Sequence, residues 1–157
     1  MTWRRVRPGR ADDERGQVGG IESLSFGVLI LVLGMLGAAS AWAVVDAKVA
    51  AASAAREASR TFVESDGSTA AWAHAAARGR EAFAGHGRDA LAVELPRPGG
   101  DFDRCGPITV TAATTVDLPR LPGIRAALRR VRVQASHTEV VDPYRAGVGR
   151  GPTCARA

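Results

Sequence analysis

The sequence predicts an α+β protein. A long N-terminal transmembrane and stem helix leads into a small domain with a second helix and an antiparallel sheet of about three strands. Three observations predict this arrangement. Residues 23–45 run for 23 positions without a charge, and residues 46–64 follow with many alanines and neither Gly nor Pro. Ser68 stands where an N-cap belongs, just ahead of a helical pattern over 69–84. Residues 107–116 and 131–141 alternate in the two-residue rhythm of half-buried strands.

At roughly 1.5 Å per helical residue, the uncharged run reaches about 35 Å. That is enough to cross a hydrocarbon core of about 30 Å with some tilt. A cleaved secretory signal is the competing reading, and Ala39-Ser40-Ala41 offers it a small-residue site. The run is longer than the apolar region of such a signal, and Trp42 sits where an interfacial aromatic belongs. The retained helix is therefore the reading carried forward. Residues 1–20 then form a basic N-terminus, residues 21–65 the membrane helix and its stem, and residues 66–157 the small outer domain.

Arg4, Arg5, Arg7, Arg10 and Arg15 precede the span, against Lys48, Arg56 and Arg60 after it. The positive-inside rule, which counts Lys and Arg, places the N-terminus in the cytoplasm and the C-terminal domain outside. Within the span, small residues recur at Ser23, Gly27, Gly34, Ala38 and Ala41. Spacings of four, seven, four and three put them near one helical face, where a second helix can approach closely in lipid. Glu22 stands at the cytoplasmic edge of the span. A carboxylate there either faces interfacial water or meets a cationic group of a neighbouring subunit.

Beyond the span the helix should continue without a break to about residue 64, where Asp66-Gly67 ends it. Glu57 and Arg60 are spaced for an i,i+3 pair. In the second helix Trp72, Ala76 and Phe83 lean to one side, and Gly79 weakens the pattern. Residues 91–95 read as a short strand before a Pro/Gly turn. In 107–116, Ile108, Val110, Ala112, Thr114 and Val116 share one pleat face; in 131–141, Val131, Val133 and Ala135 do. The segment between these strands is too long for a tight hairpin and holds Pro119 and Pro122.

The formal charge is +5, carried by twenty Arg and one Lys. With Ala and Gly abundant, the Arg bias is a property of composition, and no stretch interleaves aromatics with basic residues. That argues against a nucleic-acid partner. Arg125, Arg129, Arg130 and Arg132 form the densest outer cluster, read as a solvated face. Cys105 and Cys154 both follow the span. An even count on one side of a membrane fits a disulfide in an oxidising compartment. Closing that loop of about fifty residues stabilises a fold by about 4 kcal/mol in the chain-entropy picture.

No HExxH, GxSxG, phosphate-binding loop or CxxC occurs. His74, His86 and His137 fall in a helix, a turn and a strand, and 101–103 (Asp-Phe-Asp) is a fragment of a calcium-loop pattern. The expectation is a protein that is not an enzyme and has no cofactor and no bound metal.

The order of the pieces carries a resemblance. A basic N-terminus leads to RGQVGGIE at 15–22, then one apolar helix runs directly into AASAAREASR at 51–60. CGPITVTAATTVDLPRLPGI follows at 105–124, and VRVQASHTEVVDPYR at 131–145. The chain resembles the TadE/TadG-like pseudopilins of tight-adherence (Flp-type) pilus systems, its C-terminal pattern the actinobacterial members. The resemblance covers about residues 15–65 and 105–145. It implies a minor, membrane-anchored structural subunit that works with like pseudopilins and other pilus or secretion subunits, in the membrane. It also implies a prepilin peptidase acting after a glycine, here Gly16, and a glutamate, here Glu22, that pairs with a neighbour's new N-terminus. Cutting after Gly16 makes Glu22 the sixth mature residue, where the family pattern has the fifth, and no proline stands early in the span. The alternative is a single-pass membrane protein whose outer domain binds a ligand or regulates a cell-envelope machine.

Overall fold

The computed structural model describes residues 18–118 and 130–149, with side chains from Ser23 onward. The architecture is α+β, as the sequence predicts. Helix α1 (Val18–Val63) is followed by α2 (Thr69–Ala84), a 3-10 turn (Ala90–Ala92) and strands β1 (Val93–Glu94), β2 (Pro107–Asp117) and β3 (Arg130–Val140). The strands form one antiparallel sheet in the order β1-β2-β3. Two compact units are distinguished, Met1–Ala39 and Ser40–Ala157. The described part of the first is helical throughout, and its described side chains are exposed except for a half-buried Leu36.

In the second unit α1 is the central element, and its packing face is built from alanine. Ala47, Ala50, Ala51, Ala54, Ala55 and Ala58 are fully buried. Their spacing of three, one, three, one and three is the i, i+3, i+4 pattern of one helical face. Methyl side chains keep that face shallow, so neighbouring backbone comes close. Helix α2 uses this at Gly79, where an added Cβ would lie 2.9 Å from the Ala54 carbonyl oxygen and 3.0 Å from the Ala58 Cβ. The glycine that weakens the helical pattern in the sequence is thus the contact point of two helices. Trp72, Ala75, Ala76 and Phe83 are buried on the same side of α2.

Ser68 caps α2 by accepting the Ala71 N–H at 3.1 Å. The turn before it is held from both sides. Asp66 accepts the Ser68 N–H at 2.9 Å. Arg97 donates to the Gly67 carbonyl at 3.0 Å and to Thr69 Oγ1 at 2.9 Å. Gly67 has φ of +73°, and any side chain there would run into the Phe102 ring. That ring meets Phe62 edge-on at 5.2 Å, and Phe62 meets Trp72 at 5.3 Å.

The long strands β2 and β3 pair in register from Pro107↔Val140 to Asp117↔Arg130. Ile108, Val110, Ala112, Thr114 and Val116 are buried, the face the alternation picks out. The buried Thr114 hydroxyl is satisfied by the Ala92 carbonyl at 2.9 Å. On the open face Thr109 pairs with Thr138 at 2.8 Å and Thr111 with Ser136 at 2.9 Å. Val133 is buried and Val131 and Ala135 half-buried, as their alternation with Arg132, Gln134 and Ser136 suggests.

Two expectations change. The strand read at 91–95 is a two-residue β1 behind a 3-10 turn, because Asp89 accepts the Leu91 N–H at 2.9 Å and coils the backbone. Leu91 consequently points outward, while Val93 and Leu95 stay buried. The Glu57–Arg60 pair does not form. Arg60 reaches Glu64 at 3.3 Å, and Glu57 meets Arg78 of α2 at 3.5 Å instead. Of the outer basic cluster, Arg130 pairs with Asp117 at 3.0 Å and Arg132 with Glu94 at 2.8 Å. Arg125 and Arg129 lie outside the described residues.

Candidate interaction surface of the apolar helix

Among the described residues, α1 is a helix long and apolar enough to cross a membrane, with mean hydropathy 2.4 over its most apolar window and none of that window buried. Leu24, Phe26, Leu29, Ile30, Leu33 and Met35 all stand exposed. Contiguous exposed apolar surface of this kind marks a protein–protein or membrane contact more often than a free surface.

The small residues singled out in the sequence all lie on this helix and are all open: Ser23, Gly27, Gly34, Ala38 and Ala41 are exposed. A Cβ added at Gly27 or Gly34 would meet nothing within 4 Å. The contrast with Gly79, crowded by the chain's own backbone, is physical. One glycine is used by the fold, and the other two leave shallow notches that the fold does not fill.

The notched stripe has a continuation that the sequence reading stops short of. Val45 and Val49 follow Ala41 at spacings of four and four, and both are exposed at 55% and 52%. Over the same turns Ala47, Ala50 and Ala51 are fully buried under the folded unit. The folded unit therefore occupies one side of α1 from Ala43 onward and leaves the side of Ala41, Val45 and Val49 uncovered. The recurring three-or-four spacing was the signal for these two valines, masked because they lie at and beyond the end of the uncharged run.

Glu22 falls within α1, with its side chain outside the description; Gly16 lies outside the described residues. Cys105 is half-buried in a turn with φ of 60°, its N–H donating to the Val141 carbonyl at 2.9 Å. No cysteine among the described residues is free, and Cys154 lies outside them. The chain returns to the Cys105 neighbourhood at Gly149, which bridges to Asp103. Phe102 is a core ring and Asp103 a turn residue, its carbonyl accepting the Gly106 N–H at 2.9 Å.

His137 contacts Glu139 at 2.9 Å, two residues along the same strand. Among the described residues, no three His, Cys, Asp or Glu side chains gather to hold a metal ion. The described residues offer an apolar helix with a stripe of exposed small residues along it, and a separate compact unit. No protein-family model, no curated protein and no solved structure matches the chain.

Proposed function

We propose that the chain is a minor pseudopilin-like structural subunit, of the TadE/TadG-like kind, serving assembly of a Flp/Tad-type pilus or a related export machine. It is anchored by α1 in the cell membrane, N-terminus in the cytoplasm and folded unit outside, and it is not an enzyme. Its partners are like subunits that pack against the small-residue stripe. The observation that carries this reading is the open state of that stripe, from Ser23 to Ala41, on an apolar helix whose most hydrophobic window is 0% buried. In lipid, apolar surface alone gives no association, so close van der Waals approach at Gly and Ala is what draws helices together.

Glu22 adds an electrostatic element. In a bundle of low dielectric it leaves water to meet a protonated amine or an Arg of a neighbour, where the attraction is stronger than at a wet surface. Processing after Gly16 supplies such an amine. The orientation rests on the five arginines ahead of the span. A Cys105–Cys154 bridge, as the even cysteine count suggests, fits that placement.

Cysteine cross-linking in membranes tests the proposal. Gly34→Cys should give a dimer or a cross-link to a partner subunit, and Val32→Cys, two positions along and so on the far face, should not. Glu22→Ala should weaken assembly while leaving the subunit in the membrane. Equal cross-linking from both positions, or none from either, would refute the stripe as the contact.

A further inference from the structure

The end of the folded unit where the chain comes in from residue 39 carries an exposed leucine that the core does not use. Arg88 ties this end to α1, donating to the Ala43 carbonyl at 3.3 Å and to Asp46 at 2.8 Å. The 3-10 turn follows two residues later, with Leu91 at its centre and 85% exposed. Its level is fixed a second time by the sheet. Val93 pairs with Thr114, so the turn before it runs toward Val116, and Val116 packs with Ala47 and, around them, Ala43 and Val44. Both measures put Leu91 level with the turns of α1 that carry Trp42 and Val45, 74% and 55% exposed.

We propose that this end of the unit rests on the bilayer, with Leu91 inserted at the headgroup–acyl boundary beside Trp42. The proposal rests on the membrane reading of α1. If residues 23–45 fill the hydrocarbon, Trp42 marks the interface, and whatever is bonded to the Ala43 carbonyl stands within a few ångströms of that plane. A leucine there has lipid as its apolar surroundings. Among the described residues, the charges at this end include the ion pairs Arg88–Asp46, Arg130–Asp117 and Arg132–Glu94. The contact is accordingly apolar insertion. The opposite end of the unit supplies a reference: Arg145 donates to the Val63 and Glu64 carbonyls, about 30 Å along the helix at 1.5 Å per residue, and Tyr144 beside it is 93% exposed.

The test uses the full chain in phosphatidylcholine vesicles, with a dansyl-bearing amino acid replacing Leu33, Leu91 or Tyr144 one at a time. Phosphatidylcholines brominated near the headgroup end and, separately, near the methyl end of their acyl chains are the quenchers, the first matched to the interface at 91 and the second to position 33 near mid-span. Leu91 covers nothing in the fold, so its replacement leaves the unit intact. The expected result is blue-shifted, quenched emission at positions 33 and 91 and water-like, unquenched emission at 144. A quenched probe at 33 with an unquenched one at 91 would overturn the docked end while leaving the membrane helix standing. An unquenched probe at 33 would overturn both.

Discussion

At the scale of the residue, glycines and one carboxylate show how differently the same side chain is used. Gly79 exists because α1 and α2 touch there. Alanine gains about 1 kcal/mol of helix propensity over glycine, but its methyl would stand 2.9 Å from a backbone oxygen that cannot swing away. Gly79→Ala should therefore be a net loss of about 1–3 kcal/mol, in the range of overpacked sites, read by denaturant unfolding of the full chain in micelles. Nothing in the sequence separates Gly79 from Gly34, because the difference lies in a neighbour dozens of residues away. Asp66 is held below its ordinary value of 3.8, first by the Ser68 N–H and then by the Ser68 hydroxyl. A depressed carboxylate stabilises the fold fully above 3.8, and that contribution fades as pH falls through the lowered folded-state value. Unfolding measured across that acid range should show a stability loss that Asp66→Asn lacks.

At the scale of the element, the signals that are local in sequence were readable. The Ser68 cap and the bounds of α2 follow from the chain within a few residues of them. So do the buried face of β2 and the unbroken run of α1 through its alanines. What was hidden depends on distant partners or competing short bonds. Arg88 and Asp46 are 42 positions apart, and no periodicity announces their pairing. The Asp89 side chain turned the first two residues of an apparent strand into part of a 3-10 turn, a choice that alternation of apolar residues cannot reveal. The alanine face of α1 carries the element-level prediction. Ala54 is fully buried against Gly79, so Ala54→Leu should force the helices apart and lower stability by about 1–3 kcal/mol. The check is thermal unfolding followed by near-ultraviolet dichroism of Trp72, which sits in the same core. Enlarging Gly34 instead should leave that transition unmoved, since no atom of the chain lies there.

At the scale of the whole molecule, one helix carries two kinds of surface. Its described first part leaves its apolar side chains exposed except for a half-buried Leu36, and its later turns bury alanines in a core with the strands and the second helix. The α+β class and the apolar helix could be read from composition and spacing. The candidate surface could be read only in part: Ser23, Gly27, Gly34, Ala38 and Ala41 carry the signal, whereas Val45, Val49 and Leu91 needed the fold to show what it leaves uncovered. Assembly through the stripe requires the helix to remain in the mature protein and in lipid. Intact-mass measurement of the protein from the membrane and from the soluble export fraction tests this most directly. The account predicts a membrane-bound chain that starts at Met1 or, after processing, at Gln17, and so retains residues 23–45. A freely soluble chain starting at Trp42 would contradict it.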